Sequence, residues 1–564
     1  MRGPETRMVR VRDGVSLASD IYLPEGSGPF PALFERTPYG RHLPSRSETT
    51  ATDPKPASRA EIAAVFTGAG FAVVYQDCRS RHGSEGRFTK YLGEAEDGFD
   101  TAAWLIREPF CDGRIGTFGL SYAAHTQAAL GALDPPGLMA QVLDCGGFAD
   151  AWQSGIRQSG AFEMKQATWA FKQAALSPEA EADPLLKAAL AGEDIRAWFA
   201  RLPWRRAHSP LRHHPDYESY LFEQWRHGAS DGFWHRLGLW AEGFHHCNSS
   251  ACAVHLSSWF DPYAATAVAN FLGLRHARRG PQRLILGPWT HGDRSLNYAG
   301  DVDFGPHPVI DSWAGDWRRY RLQFFERIFH GAPETEPAVR LFVMGGGSGR
   351  RNREGRLDHG GHWISAEEFP PAGVAFRAWY LHGDGGLAPE MPEADRVLAY
   401  DFDPARPVPT IGGAFSSLEP LAAPFEIVGP VEVNLFVASD APDTDFTAKL
   451  IDVHPRSEDY PQGYAMLLGD GILRLRYADD PAAPVLNRPG ELRRVRIILF
   501  PTANLFLPGH RVRLDVSSSN FPKFDVNPNS GEAEGEARRQ RRAVNSVFTG
   551  PSHPSRIVLP ELPG

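Results

Sequence analysis

The chain has 564 residues, 42% of them hydrophobic and 23% charged, with a formal net charge of −9. That length exceeds one hydrophobic core and calls for about two to four domains, while the mild acidity excludes a general attraction to nucleic acid or to anionic membranes. The cysteines, Cys78, Cys111, Cys145, Cys247 and Cys252, are scattered and odd in number, which argues against a disulfide framework and for a reducing compartment.

The first predicted elements are strands: MVRVRDGVSLASDIYLP alternates on both sides of an Asp13-Gly14 hairpin turn. The N-terminal stretch lacks the apolar run of a signal peptide, and no segment approaches the roughly 20 apolar residues of a membrane span. A soluble, cytoplasmic protein is expected. Next come FPALFERTPYGR, an apolar run ending in a polar loop, the helical AEIAAVFTGAG, and the buried-strand run FAVVYQD. The rhythm continues through a helix near Asp97 to Ile106, the strand-like GRIGTFGLS, a helix from Tyr122 to about Leu133, and LMAQVLDCGGF. Such alternation predicts a parallel α/β sheet.

From about Ala149 to His246 the pattern turns helical and rich in Trp, Phe, Ala and Arg, which reads as an inserted cap. The α/β rhythm resumes with ACAVHLSSWFDPY, a helix over Ala264 to His276, and QRLILGPWTHGD. Beyond about residue 360, short alternating runs such as FRAWYLH, VEVNLFVAS and HRVRLDVSSS predict an all-β sandwich. The expected domains are an α/β catalytic domain over 1–148 and 247–360, a helical cap over 149–246, and a β domain over 361–564.

GTFGLSYAAHTQ places Ser121 between a strand and a helix, where an exposed nucleophile is usually written G-x-S-x-G. Here the fifth place is Ala123, which adds one methyl to what glycine offers, so a slightly tighter elbow with intact chemistry is expected. A serine nucleophile needs a base and an acid to orient that base. Asp261 in SSWFDPY and His291 in GPWTHGD follow in the order used by α/β-hydrolases, each just past an apolar strand run. Ligands bind at the carboxyl ends of strands in open α/β sheets, where the three groups would converge. Asp144 also follows a strand and competes with Asp261 for the acid.

His125, four residues after Ser121 on the same helix, reads as structural because it would not reach the serine hydroxyl as a base. HHCNSSAC, from His245 to Cys252, has no second ligand pair at zinc spacing, and no metal is expected. One oxyanion donor is the backbone N–H of Tyr122. A second should come from the loop after an early strand, where the phenol of Tyr39 in FERTPYGR can donate.

Together RTPYGR, YQDCRSRHGSEGRF, GTFGLSYAAHTQ, SSWFDPY, LGPWTHGD and APDTDFTAKLIDVHP resemble the CocE/NonD family over nearly the whole chain. These are cocaine esterase-like serine hydrolases related to X-Pro dipeptidyl-peptidases. The resemblance implies an α/β-hydrolase domain, a helical cap inserted after the sixth strand, and a C-terminal jelly roll like galactose-binding modules. It also implies Ser121 as nucleophile, Asp261 as acid, His291 as base, and Tyr39 in the oxyanion hole beside the Tyr122 amide. Two departures stand out: Ala123-Ala124 where the family has x-G, and Arg79-Ser80 where it has R-G. Neither removes a reacting group.

The expected reaction is acyl transfer on a small-molecule carboxylic ester, with amides as a second class and no metal or organic cofactor. Trp152, Trp169, Tyr263 and Phe415 match regions that line the pocket in relatives and together favour a bulky apolar or aromatic acyl group. An X-Pro dipeptidyl-peptidase or amide-cleaving acylase is the alternative. The peptidase would need a carboxylate pair for a free amino terminus, for which the cap offers Asp150, Glu163 and Glu242, and no acid flanks Ser121. A non-catalytic carbohydrate-binding scaffold is a remote third. No nucleic-acid or membrane partner is expected, and a homodimer is left open.

Overall fold

The runs FPALFERT, AVVYQD, CDGRIGTFGL and LMAQVLD become neighbouring strands because each is apolar enough to bury both faces, as a parallel sheet requires. The computed structural model describes residues 4–333, 335–407, 413–417 and 419–563. It divides into two units, one of residues 1–150, 235–342 and 360–369, the other of residues 151–234, 343–359 and 370–564.

The strands of the first unit are β1 (Glu5–Arg10), β2 (Ser16–Tyr22), β3 (Phe30–Thr37), β4 (Ala72–Asp77), β5 (Cys111–Leu120), β6 (Leu138–Asp144), β7 (Cys252–Ser258) and β8 (Gln282–Gly287). In space they run β1-β2-β4-β3-β5-β6-β7-β8; the pairings of β2 are antiparallel and all those from β4 onward are parallel. Helices α1 (Arg59–Gly68), α2 (Glu94–Leu105), α3 (Tyr122–Gly131), α4 (Ala264–His276) and α5 (Trp317–Phe329) alternate with them or follow.

Period-two alternation sends successive strand residues to different cores. Leu33, Val73, Phe118 and Val142 pack with Ile62 and Phe66 of α1 and Tyr320, Phe324 and Phe325 of α5. Their neighbours Phe34, Val74 and Ile115 pack on the other face with Ala102 and Leu105 of α2 and Leu130 of α3. Each such Leu, Val, Ile or Phe contributes about 1.5–3 kcal/mol on full burial, which sets the register and therefore which residues end each strand. Helix α1 starts where Ser58 and Glu61 close a capping box, the S-x-x-E signature legible in the sequence.

The second unit contains an antiparallel sheet of β9 (Gly413–Ser416), β10 (Asp445–His454), β11 (Tyr464–Arg474) and β12 (Arg511–Ser517), in the order β9-β12-β10-β11. Glu432–Ser439 pairs antiparallel with Arg493–Ile498, Ala543–Thr549 and Arg556–Glu561 in a further array. The helices Lys165–Ala174 and Pro215–Arg226 belong to this unit. Of the stretch expected as a cap over 149–246, residues 151–234 group with the β-rich unit and residues 149–150 and 235–246 with the α/β unit.

Specific polar contacts explain that grouping. The Met164 amide donates to the Lys523 carbonyl, and Asp525 accepts from the Phe162 amide and the Trp225 indole. Arg157 and Arg474 both reach the buried Glu534. Burial alone would raise the Glu534 pKa, but Arg157, Arg474 and Arg476 outweigh it and hold the carboxyl at about 2. Among the described residues no helix is long and apolar enough to cross a membrane.

Candidate active site

Ser121 ends β5 and caps α3 with φ 61° and ψ −116°, backbone geometry that costs a non-glycine residue on the order of 1–3 kcal/mol. Its neighbours hold it there. The Ser121 amide donates to the Asp144 carbonyl at 2.8 Å, and its own carbonyl accepts from the amides of Ala124 and His125. The hydroxyl makes no capping bond to α3, so it is not used up by the helix it precedes.

The alanines after Ser121 fit because glycines face them. A Cβ on Gly119, whose φ is +144°, would stand 2.5 Å from the Ala123 methyl, and one on Gly146 would stand 2.8 Å from that of Ala124. Gly119 is the first glycine of the motif itself, and Gly146 lies just past β6. At the second departure, Ser80 adopts φ 52°, the left-handed region where glycine is at ease.

Asp261 and His291 lie beyond the ends of β7 and β8, and the parallel register aligns Leu120 with Asp144, Asp144 with Leu256, and Ser258 with Gly287. Ser121, Asp261 and His291 are therefore delivered to the same edge of the sheet. His291 Nδ1 lies 3.2 and 3.3 Å from the two Asp261 carboxylate oxygens. An Nδ1–H donating to Asp261 leaves Nε2 as the basic nitrogen. The His291 side chain keeps 26% of its exposure, whereas the Asp261 carboxylate has none. Burial works to raise the Asp261 pKa, but the imidazole, the Cys145 thiol and the Tyr263 amide overcome it and the net shift is downward. The loop beyond β8 is seated against the elbow: a Cβ on Gly292 would touch Leu120 at 3.0 Å.

The two carboxylates have different partners. Asp144 receives the Arg294 guanidinium at 2.6 Å, both side chains being buried, and Arg294 also lies over the Trp317 ring. Asp144 thus neutralises Arg294, and Asp261 faces the imidazole. Cys145, which sequence reasoning passed over, offers its Sγ within 4.8 Å of Asp261 and His291 ligand atoms. Burial first, then Asp261 and Asp144, push that thiol well above its ordinary value, so it is a protonated donor to the carboxylates rather than a nucleophile. Cys145 and Arg294 each lie within a few residues of recognised positions, but no local pattern marks a buried thiol or guanidinium as support for a neighbour.

Tyr39 follows β3 on a tightly held loop. Arg81 donates to the Pro38 carbonyl, and Arg41 binds Asp77 and Asp20. This accounts for the RTPYGR and YQDCRSRHG motifs, since the second clamps the first. The Tyr39 ring meets the Tyr122 ring edge-on at 6.5 Å. The Tyr122 phenol donates to Glu94 and accepts from the Tyr91 amide, which pins the residue whose N–H begins α3, where helix amides point outward.

Of the expected pocket residues, Tyr263 is buried with its ring 5.5 Å from that of His291, and its amide donates to Asp261. Trp152, Trp169 and Phe415 belong to the second unit. Trp152 donates to the Gly228 carbonyl and packs edge-on against Tyr477, Trp169 is half-buried on its helix, and Phe415 is buried in β9. His125 accepts from the Gly147 amide through Nδ1 and stacks on Phe148, and His245 bonds Asn270. Glu163 is occupied by Lys165 and by the Gly155 amide.

Comparison with known proteins adds the family context. Residues 13–293 match the model of the X-Pro dipeptidyl-peptidase (S15) family, and residues 330–558 match the X-Pro dipeptidyl-peptidase C-terminal non-catalytic domain. The chain is 31% identical to the cocaine esterase of Rhodococcus sp. (strain MB1 Bresler), covering 98% of this chain and 97% of that one. Among solved structures, an aminopeptidase from a marine sediment Thaumarchaeota archaeon superposes with a TM-score of 0.80 at 23% identity, over 99% of this chain and 96% of that one. An α-amino acid ester hydrolase gives a TM-score of 0.80 at 22% identity, with the same coverage.

Proposed function

The chain belongs to the CocE/NonD family of serine hydrolases, and from that premise we propose that it cleaves carboxylic esters by acyl transfer through Ser121, His291 and Asp261. The observation that carries the assignment is the sheet edge itself: a strained, uncapped Ser121 at the end of β5, and an imidazole held through Nδ1 by a buried carboxylate beyond β7. Ser121 Oγ attacks the ester carbonyl while its proton passes to His291 Nε2. The oxyanion is held by the Tyr39 phenol and the Tyr122 amide, and the tetrahedral intermediate collapses as His291 returns the proton to the departing alkoxide. Water then attacks the acyl-enzyme, giving its proton to His291, and the carboxylic acid leaves with Ser121 restored. Asp261 keeps the imidazole in the working tautomer throughout. No step needs a metal or an organic cofactor.

Tyr263, beside His291, is assigned to the acyl site, and acyl recognition by Trp152, Trp169 and Phe415 belongs to the same reading. So do the three-block domain plan with a jelly-roll C-terminal domain and a cytoplasmic setting, the latter supported by five cysteines that are all free, four of them buried. Glu163 is neutralised by Lys165, which counts against a carboxylate site for a free amino terminus. Purified protein should turn over aryl esters, with kcat/KM falling by about six decades in Ser121→Ala. Equal turnover by that variant, or a strong preference for an X-Pro-anilide over the ester, would overturn this reading.

A further inference from the structure

The motif APDTDFTAKLIDVHP plays no part in the reaction, yet it ends in a buried constellation. Asp452 and His454 sit two apart on β10, so both side chains project from one face of the strand. His359, which closes the segment of residues 343–359, meets them there: its Nδ1 lies 3.1 Å from His454 Nε2. One ligand atom each from His359, Asp452 and His454 falls within 4.8 Å of the other two, and no side chain of the three is more than 4% exposed.

The surrounding bonds have the form of an outer shell. His359 Nε2 is bonded to Asn504 Oδ1 at 2.9 Å, which directs the Nδ1 lone pair toward His454. Asn504 Nδ2 and His510 Nδ1 then hold the two oxygens of Asp452 at 3.1 and 2.8 Å. Ligating histidines and carboxylates are oriented in this way by partners on their remaining atoms. Two imidazole nitrogens on a tetrahedral zinc, each about 2.0–2.1 Å from the metal, are separated by about 3.3 Å, close to the spacing found. The same 3.1 Å contact is closed by one shared proton when His454 Nε2–H donates to His359 Nδ1, and a metal between the two rings would replace that proton.

We propose that His359 Nδ1, His454 Nε2 and a carboxylate oxygen of Asp452 form a structural zinc site in the β-rich unit, stapling the segment of residues 343–359 to strand β10. Two imidazoles and one carboxylate suit zinc or a similar divalent first-row ion better than calcium or magnesium, which prefer all-oxygen shells. The site lies outside the esterase machinery, and its test does not depend on turnover.

Untagged full-length protein, stripped with chelator, incubated with zinc and gel-filtered, should retain about one zinc per chain by elemental analysis and melt at a higher temperature than the stripped form. His454→Ala should lower zinc affinity by about 100-fold or more, and His510→Ala by about 10–100-fold, the range for an outer-shell partner. Should His454→Ala fail to fold, wild-type protein loaded with cobalt decides the matter. A tetrahedral cobalt spectrum without a thiolate charge-transfer band supports this site, whereas such a band would place the metal at the Cys145, Asp261 and His291 group. Absence of retained zinc, or retention undiminished in a folded His454→Ala, would equally overturn the proposal.

Discussion

Two clusters in this molecule are built from nearly the same parts, yet their surroundings give them opposite characters. In the α/β unit, Cys145, Asp261 and His291 gather at a sheet edge; in the β-rich unit, His359, Asp452 and His454 gather on a strand face. The first carboxylate meets one imidazole, whose other edge keeps a quarter of its exposure and can take a proton from a neighbour. The second is oriented by one hydrogen bond to each oxygen, from His510 and Asn504, and its histidines face one another in the interior. A histidine beside an aspartate is therefore no signature of catalysis. What decides is whether one imidazole nitrogen is presented to an approaching group.

The largest test of that distinction is Asp261→Asn, which should keep the fold and lower kcat by about four decades, because the amide no longer holds the productive tautomer. The control is Asp144→Asn at the neighbouring strand end. It leaves Arg294 buried without its counter-charge and should cost about 3–5 kcal/mol in denaturant unfolding, while kcat falls less than about tenfold. If instead Asp144→Asn lost activity as Asp261→Asn does, the acid would have to be reassigned.

Tyr39→Phe should come next, with kcat reduced by about two to three decades and KM little changed, as for an oxyanion donor. Wild-type turnover would remove the phenol from the mechanism. The smallest effect concerns His255, which is wholly internal in β7, bonded to Gln282, and pushed by burial down to about 4. The unfolded chain binds this proton near pH 6.5, so the native state is favoured above that pH and loses up to about 3 kcal/mol as pH falls to about 4. His255→Gln should flatten the stability profile across that window; an unchanged slope would show that another group titrates there.

Much of the candidate site's placement was legible because each candidate residue follows an apolar run long enough to be a buried strand. FGLS, SSWFD and GPWTH announce strand ends, and an open parallel sheet gathers such ends on one edge. The sequence favoured Asp261 over Asp144 through the family resemblance, but the local patterns are alike, since both follow strands and the partners Arg294 and His291 are what separate them. The tolerance of Ala123 and Ala124 could be expected from their size; of the glycines that face them, Gly119 stands in the same motif and Gly146 beyond the next strand. The grouping of residues 151–234 with the β-rich unit was equally hidden, because it rests on bonds to Lys523, Asp525 and Glu534, far along the chain.

By itself, the sequence determined the order of elements, the α/β and β-rich halves, and the identity of the candidate nucleophile and base, because these depend on local periodicity and on residues next to strand ends, while Tyr39 as an oxyanion donor came from the family resemblance. Only the tertiary structure decided that Asp144 is spent on Arg294, that Gly146 faces Ala124, and that His359 meets His454 across 95 residues of chain. Those outcomes depend on strand order and register, and a pairing between side chains from separate strands leaves no trace in the spacing of either one.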